Sequence, residues 1–256
     1  MGAPEDLIEI NGNPILLRRK GAGDPLLFLH GAGGIPAWLP FFDQLAERFD
    51  LLVPDHPSYG ASPTPDWLDS VGDLGYFYLD FLEALDLTEV HVIGQSLGGW
   101  IALEMAVRNT SRIKSLTLMA PAGIRIKGKP AANVMIMDRA QLTNALFADP
   151  KLAAQMLAME PTPDQIAEIV NNNVATARLA WQPRLFNPNL RKWLHRIDVP
   201  THLIWGDKDQ IIPPDYGPEF AGLIEGAALT MIENAGHIPQ VEQLDAVMAA
   251  LDKFYK

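Results

Sequence analysis

One stretch of sequence decides the fold of this chain, namely Val90-His91-Val92-Ile93-Gly94-Gln95-Ser96-Leu97-Gly98-Gly99-Trp100-Ile101-Ala102-Leu103. The apolar, β-branched run from 90 to 93 predicts a strand, and the residues from 99 onward predict a helix. Between them Ser96 stands in a Gly-x-Ser-x-Gly turn. Such a sharp turn forces its central residue into strained backbone angles, so small neighbours are needed. The pattern therefore predicts a serine hydroxyl at a helix N-terminus, where free backbone N–H groups can stabilise a negative charge.

Strands and helices alternate along most of the chain. Asn11-Gly12-Asn13 predicts a hairpin turn that joins two strands near the N-terminus. Further apolar runs predict strands at 26–29, 51–53, 90–93, 115–119, 201–205 and 228–232. Helices are predicted between them, and the last helix is predicted over 241–254. This alternation predicts parallel βαβ units in an open twisted sheet.

The alternation stops between about Arg125 and His195. This segment is rich in Ala, Met, Leu, Asn and Gln, and it predicts several helices broken by Pro150, Pro161, Pro163, Pro183 and Pro188. We interpret it as a helical cap, or lid, over the sheet edge where open α/β sheets bind ligands. The alternative is a set of extra helices packed on one flank. The predicted domains are a core of 1–124 and 196–256 and a cap insertion of 125–195.

The composition excludes several classes of protein. The 256 residues include no cysteine, which excludes disulfides, a thiolate zinc site and a cysteine nucleophile. The net charge is −11 and no basic run is present, so neither nucleic acid nor an anionic membrane is an expected partner. The first six residues lack the charged and apolar regions of a signal peptide. No apolar run approaches membrane-spanning length, and we expect a cytoplasmic protein.

A serine nucleophile requires two partners later in the chain. Its hydroxyl reacts poorly until a base takes the proton, and histidine suits that role near pH 7. The imidazole needs a carboxylate that fixes its tautomer. Of six histidines, His237 is the one in a glycine-flanked loop after the last predicted strand. Asp207 and Asp209 both precede it, so either carboxylate would complete the group in the chain order Ser, Asp, His.

Five sequence blocks occur in an order typical of one family: His30–Gly34, Pro54–Ser62, Gly94–Gly98, Gly206–Pro213 and Asn234–Pro239. On these blocks the chain resembles the α/β-hydrolase fold superfamily over essentially its full length, specifically the serine-nucleophile branch with a helical cap. The resemblance extends to carboxylesterases and to meta-cleavage-product C–C hydrolases. It implies an α/β fold with a mostly parallel, eight-stranded twisted sheet flanked by helices.

The resemblance also implies roles for single residues. It makes Ser96 the nucleophile, His237 the base and Asp209 the acid, because Asp209 occupies the family's usual position. The alternative for Asp207 is a turn-forming aspartate that bonds its own backbone. The backbone N–H groups of Leu97 and, by resemblance, Ala32 are the expected donors to the oxyanion. Candidate pocket residues, each of which could equally be ordinary core, are Gly31, Trp38, Trp100, Met135, Met137, Trp181, Phe186 and Ile238.

These residues predict a cofactor-independent serine esterase without a metal site, acting on a small carboxylic ester through an acyl-enzyme. The expected partner is a small-molecule substrate with an apolar acyl or aromatic group. The sequence is compatible with a homo-oligomer as well as with a monomer. A first alternative is a C–C hydrolase of the meta-cleavage-product type. That group usually has Asn where this chain has Gln95, and commonly Trp where it has Ile238. A second alternative is a hydrolase-fold receptor or binding protein without turnover.

Overall fold

Eight β-strands form one sheet within residues 3–256, the part of the chain that the computed structural model describes. Met1 and Gly2 lie outside the described residues. They are the first two of the six residues on which the prediction about a signal peptide is based. The strands are β1 (Glu5–Ile10), β2 (Asn13–Lys20), β3 (Asp24–Leu29), β4 (Phe49–Pro54), β5 (Val90–Gln95), β6 (Ile113–Met119), β7 (Thr201–Gly206) and β8 (Ala228–Ile232).

The sheet order is β1-β2-β4-β3-β5-β6-β7-β8. The first two strands pair antiparallel with each other, and β2 pairs antiparallel with β4. All the remaining neighbours are parallel. The predicted mostly parallel, eight-stranded sheet is therefore confirmed.

Helices cover both faces of this sheet. They are α1 (Pro40–Ala46), α2 (Val71–Ala84), α3 (Leu97–Ala106), α4 (Arg139–Leu146), α5 (Pro150–Ala158), α6 (Pro163–Ala180), α7 (Tyr216–Leu223), α8 (Pro239–Glu242) and α9 (Leu244–Phe254). One buried cluster joins the sheet to α1 and α9, and a second joins it to α2, α3 and α7. Because both faces are covered, every residue of β5 and of β7 is buried, which explains their continuous apolar runs.

The single helix predicted over 241–254 is wrong. The structure has two helices, α8 and α9, which meet at Gln243, where the backbone leaves the helical region (φ −133°, ψ 53°). The Gln243 side chain donates to the carbonyl oxygen of Asn234, and the Glu242 carboxylate also turns back toward that loop. These hydrogen bonds tie the end of α8 to the preceding loop, at the residue where the helix is interrupted.

The segment between β6 and β7 is helical, with α4, α5 and α6 flanked by 3₁₀ turns at Val134–Ile136 and Leu190–Arg196. Pro150 and Pro163 do not break helices, as the sequence suggested, but open α5 and α6. The first turn of a helix tolerates proline because its N–H groups have no intrahelical acceptor there. The side chains of Asp149 and Thr162 cap the two helices.

Candidate active site

The turn between β5 and α3 presents Ser96 in a strained backbone conformation, with φ 56° and ψ −112°. The glycines around it have no room for a side chain. A Cβ at Gly98 would lie 2.0 Å from the Leu29 carbonyl oxygen, and one at Gly94 would lie 2.5 Å from the Gly98 carbonyl oxygen. The backbone N–H of Ser96 donates to the carbonyl oxygen of Met119, which ties the turn to β6. Ser96 itself stays half-buried and reachable.

The structure brings Ser96, His237 and Asp209 into one hydrogen-bonded chain. The Oγ of Ser96 lies 2.9 Å from His237 Nε2, and His237 Nδ1 lies 2.8 Å from Asp209 Oδ2. His237 and Asp209 are 3% and 4% exposed, so their bond is shielded from water. A proton on Nδ1 faces the carboxylate, which leaves Nε2 free to accept the proton of the serine hydroxyl.

Asp209 and Asp207 have different surroundings. The second oxygen of Asp209 accepts from the backbone N–H groups of Ile211 and Ile212, at 2.8 and 2.9 Å. These bonds hold the carboxylate with its other oxygen toward His237. Asp207 instead accepts from the backbone N–H of Ala235 at 3.3 Å, where it joins two loops. The structure therefore brings Asp209, and not Asp207, against the imidazole.

The loop after β3 lies directly beside Ser96. A Cβ at Gly31 would lie 3.4 Å from Ser96 Cβ and 2.5 Å from Gln95 Oε1, so a larger residue there would displace the Gln95 side chain. Within residues 3–256, neither the N–H of Ala32 nor that of Leu97 donates to a protein acceptor. Both amides are therefore free to donate to an oxyanion beside the serine.

The peptide that carries the Ala32 N–H is fixed through its carbonyl end. The Gly31 carbonyl oxygen accepts from the backbone N–H of Gly34 at 3.1 Å and from His30 Nδ1 at 2.7 Å. Because the peptide is planar and trans, the N–H of Ala32 points away from these donors. The loop thus forms a tight turn whose exposed side is the amide edge.

Two buried histidines brace this turn from behind, and their partners define both tautomers. His30 Nε2 accepts from the backbone N–H of His56 at 3.1 Å, so its proton is on Nδ1. His56 Nε2 donates to the His30 carbonyl oxygen at 2.9 Å, and its Nδ1 faces the Tyr78 hydroxyl. The rings stack at 3.6 Å. Burial lowers the pKa of His30 to about 4 and that of His56 well below its usual value, so both stay neutral.

Helix α6 of the cap is hydrogen-bonded to the loops after β3 and β4, which lie on this side of the site. Asn172, 1% exposed, donates from Nδ2 to the Gly33 carbonyl oxygen at 3.1 Å and accepts at Oδ1 from the Gly60 N–H at 3.0 Å. The neighbouring Asn171 donates to the Ser58 carbonyl oxygen. The sequence alone did not predict these contacts. The signal was three consecutive asparagines, 171–173, in a helix, because asparagine is a poor helix former without a hydrogen-bonding role.

The other side of the cap is bonded to the loop that carries His237. The backbone N–H of His237 donates to the carbonyl oxygen of Leu146 at 2.8 Å. One oxygen of Glu242 accepts from the N–H groups of Ala148 and Asp149, at 2.7 and 2.9 Å, and the other accepts from that of Gly236. The glutamate thereby joins the cap to the histidine loop. Nothing in the sequence pattern singled it out.

Two candidate pocket residues, Trp100 and Trp38, make packing contacts and hydrogen bonds with neighbouring structural residues. Trp100 is 3% exposed and its indole N–H donates to Glu104 at 2.9 Å, inside α3. Trp38 packs on Phe42 beside α1, with its N–H on Asp43 at 2.8 Å. The side chains of these two tryptophans have core and surface partners, and the hydrogen bond between Trp100 and Ser96, at 3.1 Å, joins backbone atoms only.

The candidates from the cap are spread over several surroundings. Met135 packs partly buried against the core, and Phe186 lies beside Gly123 with the Arg125 guanidinium 5.7 Å from its ring centroid. Met137 lines a surface cavity with Asn133, Ile136 and Gln141. Trp181, at the end of α6, is 55% exposed. The Met137 cavity includes no side chain of the Ser96 chain of hydrogen bonds.

Gly31 and Ile238 lie next to the hydrogen-bonded side chains. Gly31 touches Ser96 as described, and Ile238 directly follows His237 and is half-buried. Across residues 3–256, no cluster of three or more His, Cys, Asp or Glu side chains could hold a metal ion. None of the described helices is long and apolar enough to cross a membrane.

Comparisons with known proteins agree with this architecture. The family model described as alpha/beta hydrolase fold matches residues 24–244. Lipase 1 of Psychrobacter immobilis is 30% identical over 257 residues, covering 92% of this chain and 78% of that protein. The 2-hydroxymuconate semialdehyde hydrolase of a Pseudomonas species is 26% identical, covering 94% of this chain and 92% of that protein.

Solved structures have the same fold. A meta-cleavage product hydrolase from Pseudomonas fluorescens superimposes with a TM-score of 0.83 at 22% identity, covering 99% of this chain and 97% of the other. Its identity is low enough that it bears on the fold alone. The match of the family model over most of the chain, with the sheet order and the Ser96 turn, shows that this protein belongs to the α/β-hydrolase fold family.

Proposed function

We propose that this α/β hydrolase is a cofactor-independent serine hydrolase that cleaves a small carboxylic ester through an acyl-enzyme. Ser96 is the nucleophile, His237 the general base and acid, and Asp209 the carboxylate that orients the imidazole. The observation that carries the proposal is the unbroken hydrogen-bond chain from Ser96 Oγ to Asp209 Oδ2, with distances of 2.9 and 2.8 Å. The 30% identity to a lipase supports an ester as substrate.

Acylation begins when His237 Nε2 takes the proton of Ser96 and Oγ bonds to the ester carbonyl carbon. The carbonyl oxygen becomes an oxyanion, which accepts from the N–H groups of Leu97 and Ala32. Each such donor is worth on the order of 3 kcal/mol to the barrier. The imidazolium, stabilised by Asp209, then gives its proton to the departing alkoxide, so that an alcohol leaves and an acyl-serine remains.

Deacylation repeats these steps with water. His237 takes a proton from a water molecule whose oxygen attacks the acyl carbon. The second oxyanion collapses, and the serine oxygen leaves with the proton that the imidazolium returns. A carboxylic acid is released and the enzyme regains its starting protonation. Each proton transfer uses Nε2, while Nδ1 stays on Asp209.

The cap, residues 125–195, is proposed to supply much of the pocket for the acyl group and so to set the choice of substrate. Its bonds to Gly33 and Gly60 on one side and to His237 on the other support a position over Ser96. Methionines such as Met135 adapt to flexible apolar groups better than β-branched residues do. The reaction type is set by the core and the chain-length preference by the cap.

The test is hydrolysis of a series of p-nitrophenyl esters by the full chain, with a labelled fluorophosphonate as a second probe. Wild type is expected to release p-nitrophenol and to be labelled at Ser96. Ser96→Ala is expected to lose both, and His237→Ala to lose turnover by orders of magnitude, because these side chains act as a unit. If wild type is not labelled, every nucleophilic role for Ser96 is wrong, and a receptor without turnover becomes the better proposal.

A second candidate is C–C bond hydrolysis of a meta-cleavage product. The observation that favours it is the match to 2-hydroxymuconate semialdehyde hydrolase along nearly the whole length of both chains, 94% and 92%. A vinylogous diketone offered beside the esters separates the two proposals. Faster cleavage of the diketone than of any ester, abolished in Ser96→Ala, would replace the esterase proposal.

A further inference from the structure

The amide of Asn172 is the one cap group that bonds both loops on this side of the candidate site. Its Nδ2 donates to Gly33 on the loop after β3, and its Oδ1 accepts from Gly60 on the loop after β4. The orientation of the amide is determined by these partners, since a flipped amide would set donor against donor and acceptor against acceptor. The residue is 1% exposed, so both bonds are shielded from competing water.

The turn that Asn172 holds is the one that carries the Ala32 N–H. Its near end is fixed by the bonds to the Gly31 carbonyl oxygen, and its far end, at Gly33 and Gly34, consists of two glycines. Glycine has the greatest backbone freedom of any residue, and the bond from the Gly34 N–H to Gly31 leaves the Gly33 carbonyl to be fixed by Asn172. Gly34 has φ 74°, and a Cβ there would lie 2.5 Å from Asn172 Nδ2. Glycine at 34 therefore admits the asparagine, and the asparagine restrains the glycines.

We propose that Asn172 is a positioning residue that preorganises the oxyanion donor Ala32 from the cap, by fixing the Gly33 carbonyl. This inference rests on the proposed function, in which the Ala32 N–H stabilises the oxyanion. A donor acts in catalysis only if it is aimed before the charge develops, and a displacement of about 1 Å can cost on the order of 100-fold in rate. Asn172 touches no reacting atom, and it acts through the turn.

The test compares Asn172→Ala and Asn172→Asp with Asn171→Ala in the full chain. Asn172→Asp keeps the size of the side chain and the oxygen that accepts from the Gly60 N–H. It replaces the Nδ2 group, which donates to Gly33, with a second oxygen. Asn171→Ala removes a bond from the same helix to Ser58, which is not part of the turn. We expect both Asn172 variants to lose roughly 10- to 100-fold in kcat for a p-nitrophenyl ester with KM changed by less than about threefold. Asn171→Ala should stay near wild type.

A trifluoromethyl ketone, which forms a tetrahedral oxyanion on the serine, reports on the oxyanion donors, whereas general loosening of the cap pocket would also raise KM. Its inhibition constant is expected to rise in both Asn172 variants in proportion to the loss of kcat. Thermal unfolding of each variant checks that it is folded. A kcat within about threefold of wild type in the folded Asn172→Asp protein, or a loss confined to KM, would overturn the inference.

The two proposals fail in different ways. An active wild type with fully active Asn172 variants overturns the role of Asn172 and leaves the esterase proposal standing. A wild type that hydrolyses no ester and is not labelled by a fluorophosphonate overturns the esterase proposal and this inference with it.

Discussion

The backbone N–H of His237 donates to the carbonyl oxygen of Leu146 at 2.8 Å, so the loop of the proposed base is held by the cap. Glu242 reinforces this junction through the N–H groups of Gly236, Ala148 and Asp149. The cap is therefore bonded to the loops on both sides of Ser96. The cap therefore supports the loops that carry the proposed reacting groups.

The Glu242 junction predicts that Glu242→Gln lowers kcat by about tenfold, because a small displacement of the His237 imidazole weakens proton transfer. The amide keeps one acceptor oxygen and turns a donor toward backbone N–H groups. A loss of stability of about 1–3 kcal/mol should accompany it. Steady-state kinetics and urea unfolding measure the two effects. The matched control is the exposed Glu233→Gln in the preceding loop, and equal kcat in the two variants would contradict the role of Glu242.

The different surroundings of the two aspartates predict unequal effects of the same substitution. Asp209→Asn should lower kcat by up to about 10⁴-fold, since an amide at Asp209 no longer holds the imidazole proton on Nδ1. Asp207→Asn should cost far less, because that side chain bonds a loop amide and not the imidazole. Kinetics of the two variants on one ester decide the matter. The reverse order would make Asp207 the acid of the triad.

The backbone of Ser96 predicts a gain of stability on removal of its side chain. Its φ of 56° and ψ of −112° cost a non-glycine residue about 1–3 kcal/mol. Ser96→Gly should therefore have a free energy of unfolding about 1 kcal/mol higher than Ser96→Ala, and a higher unfolding temperature. Both variants should be inactive. Ser115 in β6 is the control, because Ser115→Gly should be less stable than Ser115→Ala in a regular strand. The same sign at both positions would contradict strain at Ser96.

The buried histidines predict a loss of stability in acid. Burial lowers the pKa of His30 and of His202 to about 4, whereas both take up protons near pH 6.5 when unfolded. Between these values the unfolded chain binds more protons, so the free energy of unfolding falls as the pH falls from about 6.5 to 4. For His30 the loss amounts to about 3 kcal/mol at pH 4.

Urea unfolding at a series of pH values measures this slope. His202→Gln should make it shallower, because the replacement takes up no proton and His202 Nδ1 has no partner in the described structure. Stability that stays constant from pH 6.5 to 4.5 would show that these imidazoles are not held neutral.

The cap predicts where substrate preference can be altered. Alanine at Met135, Met137, Trp181 or Phe186 should change the ranking of p-nitrophenyl ester chain lengths and leave the reaction type unchanged. The control is Met159→Ala, whose side chain is 62% exposed between α5 and α6. Helices packed only on a flank would give lost stability with an unchanged ranking. Identical chain-length profiles in all four folded variants would remove the cap from substrate choice.

Local sequence determined the frame of this protein. The strand, turn and helix around Ser96 follow from a β-branched run and from glycines at 94 and 98, where any Cβ would collide with backbone. The strands follow from short apolar runs, which can be recognised from neighbouring residues alone. Because backbone sterics and burial patterns act within a few positions, a single sequence carries them. The resemblance of five ordered blocks then led to Asp209, which the structure does bring to His237.

Tertiary structure alone decided which distant groups meet. Asn172 and Gly33 are 139 positions apart, and Ala148 and Glu242 are 94 apart, so no local pattern joins them. The same is true of side-chain surroundings, since Trp100 is buried in the core and Trp181 lies exposed on the cap. Long-range hydrogen bonds depend on how helices settle on the finished sheet, and that packing is a property of the whole chain. The sequence determined which groups we propose to react, and the tertiary structure determined what holds them in place.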